Sequence, residues 1–206
     1  MKYQLLFWTL FGISFGIDFF DNRLSHSTPA PVFEPILTEI RDRLPNNLKL
    51  RLPAEVTPTV EETILYSFIP DDDLDLISMG DPTLNAFMVM ISEFPDCVDQ
   101  KNPLDCSIGL VGVSETSSDR DLTVADLPED LEDLTSVKFG KDAKGFYFVQ
   151  HEIYQLVIWK QDALAHLLIA ETCDDGCVTK TELIEMAHSA ANEPAITSSD
   201  NSIYDY

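Results

Sequence analysis

The residues whose type and spacing point most directly to chemistry are four cysteines in a chain of 206 residues. They are Cys97, Cys106, Cys173 and Cys177. In an oxidising compartment an even number of cysteines indicates disulfide bonds, and four cysteines allow three connectivities. We expect the sequence-near pairs, because each span is short enough for its ends to reach disulfide geometry. A zinc site is the competing interpretation, but structural zinc usually takes C-x-x-C pairs, and the spacings here do not fit them.

Two of these cysteines lie in a segment that resembles a calcium-binding loop, "AETCDDGCVTKTELIEMAH", residues 170–188. Alignment of Gly176 with the glycine at the sixth position of an EF-hand loop assigns the twelve loop positions to residues 171–182. The resemblance implies a bound calcium ion. It also implies five ligating residues: Glu171, Asp175, Cys177 through its backbone carbonyl, Thr179 and Glu182.

Several features of this loop oppose calcium binding. The first position holds Glu171 in place of the usual aspartate, and the third holds Cys173, whose soft sulfur suits a hard cation poorly. A helix normally leads into such a loop. The incoming residues 154–170 have the pattern of two strands and a turn, with a nine-residue helix over Asp162 to Ala170 as the alternative. We therefore expect a structural disulfide between Cys173 and Cys177, with calcium binding as the alternative.

The histidines indicate no catalytic site. His151 and Glu152 form an H-E pair that we place on a strand, and the second histidine of a zinc-peptidase helix is missing. His166 lies among apolar residues, which is typical of a hydrogen-bonded interior histidine. No serine lies in a G-x-S-x-G turn. The sequence therefore predicts no catalytic residue, no cofactor and no enzymatic activity.

The charge balance narrows the classes of partner. The chain contains 36 acidic and 13 basic residues, which give a formal net charge of −23. Such a surface repels phosphate backbones, so nucleic acid is excluded as an expected partner. Hydrophobic residues make up 45% of the chain, enough to form a sizeable core. We expect the partner to be an unknown protein or an apolar small molecule.

Residues 1–27 indicate export. Lys2 precedes an apolar run from Tyr3 to Ile17, which is shorter than the roughly 20 residues of an ordinary membrane span. Ser25 and Ser27 are small residues at the positions expected for cleavage after Ser27. The sequence therefore predicts a periplasmic or secreted protein. An uncleaved N-terminal segment that anchors the protein to the membrane is the alternative.

The apolar pattern predicts the elements that must position these residues. Apolar residues recur at three- and four-residue steps from Val32 to Leu44, which indicates one amphipathic helix. The segment from Leu48 to Pro53 alternates apolar and basic residues as a strand does. Seven further segments have strand-like composition: "TILYSFI", "NAFMVMISEF", "CSIGLVGVSE", "SVKF", "GFYFVQHE", "YQLVIWKQ" and "LAHLLIAE". We expect the second and third to form a hairpin closed by Cys97 and Cys106, and the last four to form a meander.

The C-terminal part of the chain shows a helix start and a polar end. Thr179 and Glu182 form a Thr-x-x-Glu capping box, which predicts a helix that continues to about Ala191. Residues 192–206 are polar, acidic and without period, so a disordered tail is expected. The whole pattern predicts a single α+β domain over residues 28–191. In that domain a curved antiparallel sheet carries one N-terminal and one C-terminal helix.

Five segments carry a resemblance to known proteins over roughly residues 33–191: "LRLPAEV", "DCSIGLVGV", "KGFYF", "VIWKQDALAHLLIAE" and "ELIEMAHSA". In their order the chain resembles uncharacterised exported proteins of cyanobacteria. From Trp159 onward it is also similar, at the level of fold, to sheet domains of extracytoplasmic sensor and lipoprotein-carrier type. The resemblance implies a curved sheet with helices on one face, able to hold an apolar ligand or a partner. It implies no site residues.

Overall fold

The computed structural model describes residues 28–56, 64–68, 85–92, 107–116, 120–128, 131–140, 143–172 and 178–199. Within these ranges the protein is of the α+β class, with a seven-stranded antiparallel sheet and two α-helices. The predicted fold class and the antiparallel sheet are therefore confirmed. The predicted export signal, residues 1–27, and all four cysteines lie outside the described residues, so the export and disulfide predictions stay predictions.

The sheet consists of two consecutive meanders joined at its centre. The strands are β1 Ile64–Phe68, β2 Ala86–Ser92, β3 Ser107–Glu115, β4 Leu131–Phe139, β5 Ala143–Gln150, β6 Tyr154–Gln161 and β7 Leu164–Glu171. Their order across the sheet is β1-β2-β3-β7-β6-β5-β4, and every neighbouring pair is antiparallel. The predicted pairing of β2 with β3 and the predicted meander from β4 to β7 are confirmed.

Tight turns join β5 to β6 and β6 to β7. Asp162 and Ala163 connect β6 to β7 with φ of 55° and 62°, the conformation of a two-residue hairpin turn that usually holds glycine or asparagine. His151 and Glu152, with φ of 55° and 58°, begin the turn between β5 and β6. The H-E pair was predicted to lie on a strand, and that prediction is wrong because the chain reverses at these two residues.

Both faces of the central strands are buried, which explains their unbroken apolar sequences. Residues 164–170 of β7 are buried at every position. One face packs against the helices through Val157, Trp159 and Leu168. The opposite face includes Leu156 and Leu167 and is covered in part by residues 120–128. Antiparallel sheets commonly expose one face to water, so this sheet departs from the usual alternation of apolar and polar residues.

The predicted N-terminal helix is divided into two types of helix. A 3₁₀ helix spans Pro31–Ile36, and α1 follows directly over Leu37–Arg43. Pro35 explains the division, because proline lacks a backbone N–H and restricts the residue before it. Phe33 and Ile40 from the two helices are completely buried in the core on the helix-covered face of the sheet.

The C-terminal helix, α2 Lys180–Asn192, begins at the predicted capping box. The Thr179 backbone N–H and hydroxyl donate to the Glu182 carboxylate at 2.8 and 2.7 Å, and the Glu182 N–H donates to the Thr179 hydroxyl at 3.3 Å. These bonds satisfy backbone donors that would otherwise have no partner at the helix start. Leu183 and three alanines form the buried stripe of the helix, and the small alanines let it approach the sheet closely.

Two predicted segments adopt other structures. Residues 48–53 form no strand, and Leu50 makes one isolated antiparallel bridge with Ile196. Residues 192–199 do not form the predicted disordered tail, because Ile196 is buried and the Ser199 N–H donates to the Arg41 carbonyl at 3.0 Å. We name residues 193–199 the C-terminal strap. Residues 200–206 of the predicted tail lie outside the described residues.

Candidate functional site

The candidate calcium loop is only partly described, and its described residues have structural roles. Glu171 is the exposed last residue of β7, and the element that leads into the loop is therefore a strand. Thr179 and Glu182 lie together at the start of α2, where the amide and hydroxyl of Thr179 lower the pKa of the Glu182 carboxyl. Asp175 and Cys177 lie outside the described residues. A strand before the loop differs from the helix-loop-helix frame of an EF-hand.

Buried polar side chains hold the chain on either side of residues 173–177. The Gln155 amide donates to the Val178 carbonyl, and the Tyr147 hydroxyl donates to the Gln155 side-chain oxygen at 3.5 Å. The Lys180 ammonium donates to the Asp133 carboxylate at 2.9 Å and lies 4.5 Å from the centre of the Tyr147 ring. Burial raises the pKa of the Tyr147 hydroxyl, so this group stays a neutral donor. These contacts fix the approach to α2.

A second polar cluster attaches the C-terminal strap to the rest of the protein. Arg51 donates to the backbone carbonyl of Glu193 and to the Asp162 carboxylate, the latter at 2.8 Å. The hydrogen bond from Arg51 lowers the pKa of the Asp162 carboxyl. The Gln161 amide donates to the Ala191 carbonyl at 3.1 Å. The strap, the strained β6–β7 turn and the end of α2 therefore share one set of hydrogen bonds.

His166 is completely buried on the helix-covered face of β7. Its ring stacks on Trp159 with 5.2 Å between the ring centres. The predicted interior position is confirmed, but the predicted hydrogen bonds are not, because neither ring nitrogen has a partner of acceptable geometry among the described residues. Burial, and to a smaller extent the Arg51 guanidinium, lower the pKa of His166 from 6.5 to about 4, while the Gln161 backbone and the Asp162 carboxylate act in the opposite direction. The ring is therefore neutral at pH 7.

An apolar cavity lies between α2 and the sheet. Its volume is about 30 Å³, whereas a cavity needs about 10–15 Å³ to hold one water. None of the described residues in its wall has a charged or aromatic side chain. These residues are Pro53, Val56, Ile91, Gly109, Leu110, Val111, Leu168, Ile169, Ala170, Val178, Leu183 and Met186. A wall of this composition offers water few hydrogen bonds, so the cavity favours hydrocarbon.

Gly109 forms part of the cavity wall because it has no side chain. A Cβ atom at this position would lie 2.9 Å from the Ile169 carbonyl oxygen and within 4 Å of no other described atom that is not a chain neighbour. Gly109 lies on the face of β3 that is turned toward α2. Val111, two residues later on the same face, is part of the core. Glycine at this position therefore avoids a clash with the Ile169 carbonyl oxygen, and no side chain projects from it into the cavity.

No contiguous sequence pattern predicted this cavity. An isolated glycine inside the apolar strand "SIGLVGV" is a signal of close backbone approach, and it could have singled out Gly109. Pro53 and Val56 carry no comparable signal. Pro53 was predicted to end a strand and Val56 lies beyond it, and only the tertiary structure brings the two residues to α2.

Comparison with known proteins adds no assignment to this geometry. No protein-family model, no curated protein and no solved structure matches the chain. Within the described ranges, no helix is both long and apolar enough to cross a bilayer. In that same part of the chain, no three histidine, cysteine or acidic side chains are grouped so that they could hold a metal ion.

The depressed pKa of His166 predicts that acid destabilises the protein. The folded pKa of about 4 lies below the ordinary value of 6.5, so the unfolded chain binds the proton first as the pH falls. The stabilisation from the neutral ring is complete above pH 6.5 and is lost as the pH falls to 4. We expect this residue to account for about 3 kcal/mol of that loss in urea unfolding.

The matched variants separate this effect from the titration of carboxylates. His166→Phe retains an aromatic ring against Trp159 and should reduce the pH dependence between pH 6.5 and 4. His151→Asn changes an exposed turn histidine and should leave that dependence unchanged. An equal pH dependence in the wild-type protein and His166→Phe would show that His166 does not cause the acid sensitivity.

Proposed function

We propose that this protein is an exported, non-catalytic α+β module that binds an apolar ligand or the apolar part of a protein partner. The cavity between α2 and the sheet carries the proposal, because protein interiors are normally packed with few voids larger than a water molecule. In this proposal a curved sheet forms the rigid support, and the N-terminal and C-terminal helices cover one face of it.

The position of the cavity supports a binding role. Leu183 and Met186 place the first two turns of α2 over it, and Val178 lies just before that helix. The unbranched and polarisable side chain of Met186 adapts its shape readily, as methionines at adaptable binding surfaces do. A ligand that entered here would contact α2 without displacing the Arg51 cluster, since none of its residues lines the cavity.

The proposed location outside the cytosol rests on the sequence. The apolar run in residues 1–27 has the length of a signal segment, and four cysteines are compatible with two disulfides in an oxidising compartment. The net charge of −23 favours solubility and disfavours anionic ligands. A neutral apolar ligand is therefore the class that best matches both the cavity and the surface.

Decanol tests the proposed function as a neutral apolar probe. At ten times the dissociation constant, a ligand that binds only the folded protein adds about 1.4 kcal/mol, which raises Tm by roughly 3 to 6 °C. We expect a rise of this size in the thermal unfolding of the unreduced protein. Val111→Leu adds a methylene at the cavity wall and should abolish the rise, because it occupies the space that the ligand needs.

Val157→Leu is the control for this experiment. Val157 is completely buried in the same core but does not line the cavity. Its substitution should lower the stability of the unliganded protein by about 1–3 kcal/mol through overpacking and preserve the decanol-dependent rise in Tm. Absence of a rise in the wild-type protein, or an equal rise in both variants, would contradict binding at this cavity.

Calcium binding through residues 171–182 is a weaker proposal, because a strand leads into the loop. We expect calcium to raise Tm no more than sodium chloride at matched ionic strength, since both screen the net charge of −23. Glu182→Gln is a suitable variant, because glutamine also completes a capping box. A calcium-specific rise in Tm that disappears in Glu182→Gln would make calcium binding a stronger proposal than binding of an apolar ligand.

A further inference from the structure

We infer that the cavity selects the end of an unbranched alkyl chain and rejects an aromatic ring. This inference rests on the proposed function and specifies the ligand class for the same site. The evidence for it is the chemistry of the cavity wall, the volume of the cavity, and the packed side chains and backbone that surround it.

The wall offers no polar recognition. Its described side chains are aliphatic apart from the thioether of Met186 and the glycine at position 109. The adjoining backbone belongs to the ladder between β3 and β7, in which Gly109 is paired with Ala170 and Leu110 with Ile169. Strand pairing therefore uses the nearby peptide groups. A hydroxyl or carboxylate headgroup would lose its water inside this space and gain no partner, so the headgroup of a ligand stays outside.

The size of the cavity limits the part of the ligand that enters. The volume of about 30 Å³ holds about two or three water-sized groups and is far below the roughly 150 Å³ of an apolar cavity that binds benzene. Two or three carbons at the end of an alkyl chain fit this space. A phenyl ring has six carbons in a rigid plane and requires Leu183 or Val111 to move, although both are nearly or completely buried in the packed core.

The position of Gly109 favours a narrow chain end. At this glycine the cavity is bounded by backbone, because a Cβ atom at position 109 would lie 2.9 Å from the Ile169 carbonyl oxygen, closer than van der Waals contact. The floor is thus formed by backbone in a sheet, which cannot move aside as a flexible side chain can. A methyl or methylene group reaches the floor more easily than the edge of a ring.

Each methylene that enters such a cavity raises the affinity about fourfold. Two or three methylenes therefore contribute roughly 16-fold to 64-fold, so the remainder of the chain and its headgroup must supply the rest of the affinity. The selectivity is therefore measured as a difference in affinity between ligands that share a headgroup and a chain length but differ at the distal end.

A comparison of decanol with its ω-phenyl analogue tests this inference by isothermal titration of the unreduced protein. Both probes are neutral, so the net charge of −23 affects them equally. We expect decanol to bind at least tenfold more tightly than the analogue, despite the larger apolar area of the phenyl group. Leu183→Ala enlarges the cavity and should reduce or reverse this preference.

The outcomes distinguish the inference from the proposed function. Tighter binding of decanol, with a reduced preference in Leu183→Ala, supports both. Equal or tighter binding of the ω-phenyl analogue to the wild-type protein overturns the selectivity and leaves the proposed binding function standing. If neither probe binds, the proposed function fails and the inference fails with it. Ile40→Ala, a truncation in the core away from the cavity, should keep the wild-type preference and serves as the control.

Discussion

The structure depends on the burial of both faces of the central strands. Strand β7 is buried at seven consecutive positions, so it requires a neighbouring strand on each side and a layer of protein on each face. Strands β3 and β6 are its neighbours in the sheet. The helices cover one face, and residues 120–128 cover part of the other. Trp159 and Phe139, stacked with 5.1 Å between ring centres, fill the helix-covered face toward the β4 edge. Gly145 beneath them must lack a side chain, because a Cβ atom would lie 2.8 Å from the Trp159 Cβ.

The helix α2 connects this burial to the candidate site. Its start is fixed by the capping box at Thr179, and its end continues into the strap that Arg51 and Leu50 hold. The cavity lies beneath the first turns of this helix, where Leu183 and Met186 of α2 line it together with Gly109 and Val111 of β3.

The sequence predicts the strands well because their signals are local. Apolar and β-branched runs mark β2, β3 and β5 to β7, and their short separations favour antiparallel neighbours. The pairing of β3 with β7 could not be predicted, because it joins segments far apart in the chain and depends on which faces remain to be buried. The segment from Leu48 to Leu52 shows the same limit. The apolar residues of its alternating pattern are buried in the core. Leu50 forms one isolated bridge with the strap, and the segment makes no ladder of strand hydrogen bonds.

The candidate site was less accessible to sequence reasoning than the fold. Ile196 is the only large apolar residue of the strap, so no sequence pattern predicted that the strap would pack. The Arg51 cluster joins three segments that have no common motif. The resemblance of residues 171–182 to a calcium-binding loop is a contiguous sequence pattern, whereas the cavity is assembled from residues of five separate segments and has no linear signature.

The central claim is that α2 is anchored over a sheet whose inner surface it does not completely fill, which leaves a space suited to hydrocarbon. Diffraction from crystals of this protein under xenon pressure tests the claim most directly, because xenon enters apolar cavities without requiring a hydrogen bond. The account predicts a xenon atom between Gly109, Val111 and Leu183. Ordered water at that position, or a cavity closed by movement of α2 toward β3, would contradict it.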